Sequence, residues 1–247
     1  MSLFIVILII LLLFGSGSLP KIGQRLGEKS RKPVRQARWV MAWATGTEED
    51  ALEAERDYGR ECARDFVAQF PGEVSERDRE LVESIGGKLA AAVKDRRRRF
   101  SFSPVPGPAA NAYALPGGFV FITAPLLELC GRDPDEIAFF LAHEVGHVVC
   151  GHARDQLTAS AILNAVGSRL AGVGALLRDA LGKGYSRSLE LDADREALRL
   201  VRAAGFDPRA AHGALGRLSR VAPDNSGLAE YFSTHPALSE RIRALQV

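Results

Sequence analysis

Apolar residues run without a break from Leu3 to Phe14, and the uncharged stretch continues to Leu19. That length is close to the roughly 17–25 residues a helix needs to cross a bilayer. Beyond it the pattern becomes amphipathic. Glu49 to Phe70 places Leu52, Tyr58, Cys62 and Phe66 at helical spacing among charges, and Ser75 to Lys94 repeats Leu81, Ile85, Leu89 and Val93 every fourth residue behind a Ser75/Asp78 cap. Phe100 and Phe102 alternate as in a strand, and Phe119 to Thr123 reads as another strand. Asp133 at the N-cap, Pro134 at N1 and Glu136 at N3 form a capping-box layout. Behind it, Ile137, Phe140, Leu141, Glu144, Val145 and Val148 keep helical spacing, which predicts a helix buried in a core. Leu157 to Leu177 is apolar but interrupted by Asn164 and Arg169, so it reads as a buried or cleft-covering helix and not a second span.

The buried helix carries the chemistry. In His143-Glu144-Val145-Gly146-His147 the two histidines stand one turn apart, so both imidazoles can reach one metal ion, with Glu144 beside them to act on water. Catalytic zinc takes three protein ligands and leaves a position open. A third ligand is expected on a later helix, and Glu190 and Asp194, four apart, share a face there. One carboxylate on the metal and a second holding a ligand histidine by its other nitrogen is a common arrangement. The ordinary alternative is that both are exposed charges paired with Arg187 and Arg195. His152 follows Gly151, on the far side of the helix from His143, and is read as a capping or packing residue; His212 is also read as structural.

These stretches, in order, resemble the M48 family of zinc metallopeptidases, which includes HtpX-type membrane proteases and CAAX prenyl proteases. The resemblance rests on Asn111-Ala112-Tyr113-Ala114-Leu115-Pro116-Gly117-Gly118, on the Leu141–His147 segment, on Glu190 to Asp194, and on Thr234-His235-Pro236 with Ser239-Glu240-Arg241-Ile242. It departs from the family at Ala124-Pro125, where relatives more often carry a glycine. The resemblance implies one zinc ion held by His143, His147 and Glu190, Glu144 as general base, and Asp194 orienting a ligand histidine. It places His235 near the metal, either stabilising the oxyanion or occupying the open zinc position in a self-inhibited state. A further implication is a polypeptide substrate, drawn from misfolded or membrane-associated proteins. The strand after Pro116 is expected to be an edge strand lining the cleft, with Gly117, Gly118, Phe119, Val120 and Phe121 holding an extended substrate. The plainer alternative is a buried core strand.

Composition sets the surroundings. A 247-residue chain that is 47% hydrophobic suits one α+β, mostly helical domain plus an attachment, and a net charge of +2 gives no case for nucleic-acid binding. Cys62, Cys130 and Cys150 are widely spaced and odd in number, which favours a reducing environment over a disulfide framework. Cys150 is expected to pack as a small hydrophobe. After the apolar stretch come Lys21, Arg25, Lys29, Arg31, Lys32, Arg35 and Arg38 against the single acid Glu28. The positive-inside rule then keeps the C-terminal side in the cytoplasm; a cleaved signal peptide with a periplasmic or secreted product is the alternative. Phe14-Gly15, Leu19-Pro20 and Gly23 also resemble the anchor and hinge of TatA-type translocase subunits, which share that orientation. The expected organisation is therefore an anchor over 1–20, a basic linker over 21–47 and a metallopeptidase domain over 48–247. The Arg96 to Arg99 run is read as a solvated helix end. The sequence sets no oligomeric state.

Overall fold

The first described helix, α1 (Glu48–Val67), starts from a reciprocal cap in which Asp50 N–H donates to the Thr47 hydroxyl and Thr47 N–H to the Asp50 carboxylate. The protein is seen here in a computed structural model that describes residues 46–152, 184–221 and 229–245, with Trp39, Ala42 and Asp155. The expected anchor, most of the basic linker and the Leu157–Leu177 segment lie outside the described residues. Among those described, no helix is long and apolar enough to cross a membrane. Tyr58, Cys62 and Phe66 of α1 are buried as their spacing predicts. Trp39 is also fully buried, stacked on Tyr58 with ring centroids 5.1 Å apart, so the packed chain reaches back into the expected linker. Helix α2 (Glu76–Ala92) begins at Ser75, whose hydroxyl accepts from Asp78 N–H, and buries Val82, Ile85 and Leu89.

Three short strands follow: β1 (Ser101–Val105), β2 (Ala112–Leu115) and, after the 3-10 turn Pro116–Gly118, β3 (Phe119–Thr123). Their order is β1-β3-β2, with β3 parallel to β1 and antiparallel to β2. This corrects the expectation that Phe119 to Thr123 is an edge strand. Phe119, Val120 and Phe121 have strand neighbours on both sides and no free main-chain row for a substrate. The reason lies in the two-sided burial of β3. Val120 and Ile122 enter the larger core with α2 and the motif helix, whereas Phe121 enters a smaller cluster with Tyr58, Phe66 and Tyr113. A strand covered on both faces loses polar alternation. Within the described sheet, the strand beside β3 that also packs on the motif helix is β2.

Gly117, with φ +72, fits a place where a Cβ would come within 2.5 Å of Arg56 Cα, so the 3-10 turn can lie directly on α1. After β3, Pro125 sits in the first turn of the short helix α3 (Ala124–Leu129), which settles the chain at the Ala124-Pro125 departure. The motif helix α4 (Pro134–Val149) starts at Asp133, whose carboxylate accepts from Asp135 and Glu136 N–H. Only half of the expected capping box forms, because the Glu136 carboxylate pairs instead with Arg217 Nε at 3.0 Å. From Glu136 to Val148 every residue of α4 is buried, making it the central helix of the domain. Helix α5 (Arg187–Ala203) packs on it at Gly146, where an added Cβ would stand 2.8 Å from the Ala193 carbonyl oxygen. Helices α6 (Ala210–Val221), α7 (Ala229–Thr234) and α8 (Leu238–Ala244) complete the described fold.

The turn before α4 is fastened to α2 by Arg132, itself at φ +59, whose Nε lies 2.7 Å from Asp78 Oδ1. The hydrogen bond from Arg132 is the main influence holding the Asp78 carboxyl below its ordinary value, against the opposing cost of burial. A folded-state pKa below the unfolded one adds stability that is fully present above about pH 4 and is lost as the pH falls through the folded value. Asp78→Asn is therefore expected to cost about 1 kcal/mol at pH 7. The gap from wild type should narrow as the pH is taken below about 4, as read from urea melts at pH 7 and at lower pH values.

Candidate metal centre

Four buried donors, His143, His147, Glu190 and His235, offer ligand atoms that all lie within 4.8 Å of one another. Each comes from a different constraint on the chain. The one-turn spacing on α4 stacks His143 and His147, with their Nε2 atoms 3.1 Å apart. The close α4–α5 approach at Gly146 brings Glu190 across, its Oε1 3.3 Å from His147 Nε2 and its Oε2 3.5 Å from His143 Nε2. His235 follows α7, and its Nδ1 lies 3.2 Å from Glu190 Oε1. Glu144, one residue past His143, is buried with Oε1 3.5 Å from His235 Nε2.

These donors fit a zinc ion on two counts. Ligands about 2.0–2.1 Å from a tetrahedral zinc stand roughly 3.3 Å from one another, close to the 3.1, 3.3 and 3.5 Å among His143, His147 and Glu190. The charges agree as well. Glu144, Glu190 and Asp194 are buried carboxylates, and Arg241 is the guanidinium buried among them. With the carboxylates ionised and the imidazoles neutral, as metal ligation requires, that group is short of two positive charges. A divalent cation supplies both, and two imidazoles with a carboxylate suit zinc.

The groups behind the donors orient them. His143 Nδ1 lies 2.8 Å from Asp194 Oδ1, so an Nδ1–H donated to that carboxylate turns Nε2 toward the other donors. Asp194 is held in turn by Arg241, which reaches its two oxygens through Nη2 and Nε at 2.8 Å each. Arg241 Nη1 also stands 2.8 Å from Glu190 Oε2, an ion contact without hydrogen-bond alignment. On the other histidine, His147 Nδ1 is 3.1 Å from His152 Nδ1. Gly151, at φ +80, ends α4 and folds His152 back against it. The Tyr185 ring stacks on His147 at 3.8 Å between centroids, and Tyr231 packs on His235 at 4.9 Å.

Electrostatics follow from this burial. For His143, burial and then Arg241 disfavour the charged ring, but Asp194 and Glu190 outweigh them and hold its pKa at about 9. Burial pushes His147 well down, toward the neutral form that ligates metal. It also pushes the Glu144 carboxyl up, against the pull of His235 and His143. Glu190 and Asp194 are held far below the usual carboxylate range, although burial opposes it: His235 and the two α4 histidines stabilise the Glu190 anion, and Arg241 and His143 that of Asp194.

The structure thus brings together His143, Glu144, His147, Glu190, Asp194 and His235 as the sequence predicted, and excludes the reading of Glu190 and Asp194 as exposed charges. Gly117 and Gly118 stand apart, in the turn between β2 and β3. His212 is exposed on α6, and Cys150 is exposed at the end of α4, not packed as expected. Arg241, His152 and Tyr185 are the residues that sequence reasoning missed. Arg241 was already visible in the Ser239–Ile242 stretch, and His152 followed the helix-ending Gly151. Neither position says which way the side chain turns.

The pattern of peptidase family M48 matches residues 76–247. Over 147 residues the chain is 33% identical to the mitochondrial metalloendopeptidase OMA1 of Schizosaccharomyces pombe, covering 56% of this chain and 43% of that protein. Over 181 residues it is 28% identical to the putative beta-barrel assembly-enhancing protease of Vibrio cholerae, covering 66% of this chain and 37% of that protein. The beta-barrel assembly-enhancing protease of Escherichia coli is 26% identical over 181 residues, with the same coverage of 66% and 37%. The chain spans less than half the length of these relatives.

Arg241→Met leaves Asp194 and Glu190 buried without their cation. The expected loss is about 3–5 kcal/mol of stability in chemical denaturation. Arg241→Met with Asp194→Leu should be less destabilised than Arg241→Met alone, because it removes one of the two stranded anions together with its partner.

Proposed function

The chain belongs to peptidase family M48, and we propose that the protein is a membrane-anchored zinc metalloendopeptidase that hydrolyses internal peptide bonds in misfolded or membrane-associated proteins. The observation that carries this reading is the convergence of His143, His147 and Glu190 with the Glu144 carboxylate next to them. Zinc, when bound by those three, supplies the Lewis acidity that brings the pKa of water to about 7 and polarises the scissile carbonyl. Glu144 takes the proton from the attacking water and passes it to the leaving amine, and burial, which pushes its carboxyl up, favours the protonated form that the second transfer needs. Asp194 and His152 hold the two ligand imidazoles in the tautomers that keep Nε2 toward the site. An extended substrate would pair with β2, in place of β3, using main-chain hydrogen bonds and hence loose sequence selectivity.

His235 supports a second reading. It stands among the four clustered donors, so it can fill the position that substrate needs and keep the site self-inhibited, or act as a zinc-dependent binding module. In the catalytic reading the same ring stabilises the oxyanion. For the setting, the charge pattern around the Leu3–Leu19 stretch supports a single N-terminal anchor with the catalytic domain in the cytoplasm.

Cleavage of an unfolded protein by the full-length chain separates these readings. Glu144→Gln should keep its zinc and lose at least about 100-fold in rate; equal degradation by wild type and Glu144→Gln would sink the catalytic role. In His235→Ala, a gain of activity marks a self-inhibiting ligand and a collapse marks transition-state stabilisation. A reporter fused after Val247 should behave as cytoplasmic, and a periplasmic signal would reverse the orientation.

A further inference from the structure

A cavity of about 400 Å³ opens between α1, the Arg96–Arg99 turn and Gly117–Gly118, and Val148 of α4 forms part of its wall. Val148 stands one helical turn beyond Glu144 on the same face of α4, about 6 Å along the axis. The other wall adjoins the C-terminal end of β2, where Pro116 leads into Gly117. The cavity therefore lies beside the strand and the carboxylate that the peptidase reading assigns to substrate.

Its charge is graded. The α1 wall starts acidic with Glu49 and Glu53 and turns basic at Arg56 and Arg60. The basic end lies against the turn. A Cβ at Gly117 would come within 2.5 Å of Arg56 Cα, and one at Gly118 within 2.2 Å of the Arg99 carbonyl oxygen. The carboxylates at this end are engaged. Glu55 Oε1 accepts from Gly117 N–H at 2.9 Å, and Asp57 pairs with Arg60 at 3.0 Å. Arg56 Nη1 donates to the carbonyls of Arg99 and Gly117, and its ionisation is pushed down first by burial and then by Arg60 and Arg99. The exposed Arg99 side chain has no ion-pair partner among the described residues. At the acidic end, Arg97 is tied to Asp95 and Glu48.

We propose that Arg56, Arg60 and Arg99 form a subsite of the peptide cleft that receives an acidic side chain of the substrate, two or more residues from the scissile bond. Val148, the wall of the cavity nearest the carboxylate, already stands about 6 Å from Glu144 along α4, or about two residues of extended chain at about 3.3 Å each, so the arginines lie at least that far along the substrate. The guanidiniums, already crowded against one another, gain a shared counter-charge from a carboxylate, which can accept bidentately from them. This inference rests on the peptidase reading given above.

The test uses zinc-loaded full-length protein in detergent and fluorogenic peptides that differ by Glu, Gln or Lys at each of three positions on either side of the cleaved bond. At one position the Glu peptide should exceed its Gln counterpart about fivefold in kcat/KM, through KM, with the advantage shrinking as salt is raised. In Arg60→Gln/Arg99→Gln the Glu/Gln ratio should fall toward one, and Arg99→Glu should turn the preference toward Lys. An equal Glu/Gln ratio in wild type and the double variant overturns the subsite while leaving the peptidase reading intact. Binding of the same peptides to Glu144→Gln, followed by fluorescence anisotropy, separates the two ideas. A Glu preference there without any cleavage by wild type keeps the anion site and rejects the peptidase. Vesicles of anionic phospholipid give the competing outcome: variant-sensitive vesicle binding with no charge preference among peptides overturns the subsite in favour of a membrane contact.

Discussion

One fully buried guanidinium, that of Arg241, ties the centre together. It joins α8 to α5 through both oxygens of Asp194, reaches Glu190, and comes within 3.2 Å of His143 Nδ1 on α4. Three carboxylates in a dry interior would repel one another and favour protonation, which would spoil both the ligand Glu190 and the acceptor Asp194. The guanidinium, with His143, keeps Asp194 ionised while the histidines keep Glu190 so, and the planar fork of Arg241 fixes where Asp194 stands. The geometry of the clustered donors is thus inherited from an ion pair to one side of them.

The second constraint is close packing of helix on helix. Gly146 lies inside the motif itself, between Glu144 and His147, and its missing side chain lets the Ala193 backbone come near. A larger residue there would have to push α5 away and carry Glu190 out of reach of the histidines. The separation of α4 and α5 is therefore fixed by packing as much as by chemistry. His235 and Tyr185 then close over the site from two other segments, joined where Tyr185 N–H donates to the Thr234 carbonyl.

Much of this was legible in the chain. The helix around His143 and His147 announces itself through Asp133, Pro134 and its apolar spacing, because local caps and 3.6-residue periodicity act within a few residues. Glu190 and Asp194 could be named because a ligand and its supporting carboxylate need the same helix face. The role of Phe119 to Thr123 was misread. A strand covered on both faces and one lining a cleft can share the same apolar run, and only the pairing partners distinguish them.

The sequence by itself determined the local pieces: two imidazoles one turn apart, a carboxylate pair four residues apart, and the breaks at Pro116 and Gly151. The tertiary structure decided what faces what. It placed β3 at the centre of the sheet, turned Arg241 inward to Asp194, folded His152 back onto His147, and gathered arginines from α1 and the Arg96–Arg99 turn around one cavity. Each of these joins residues far apart in the chain. Their contact depends on how helices and strands pack, and no local spacing encodes that.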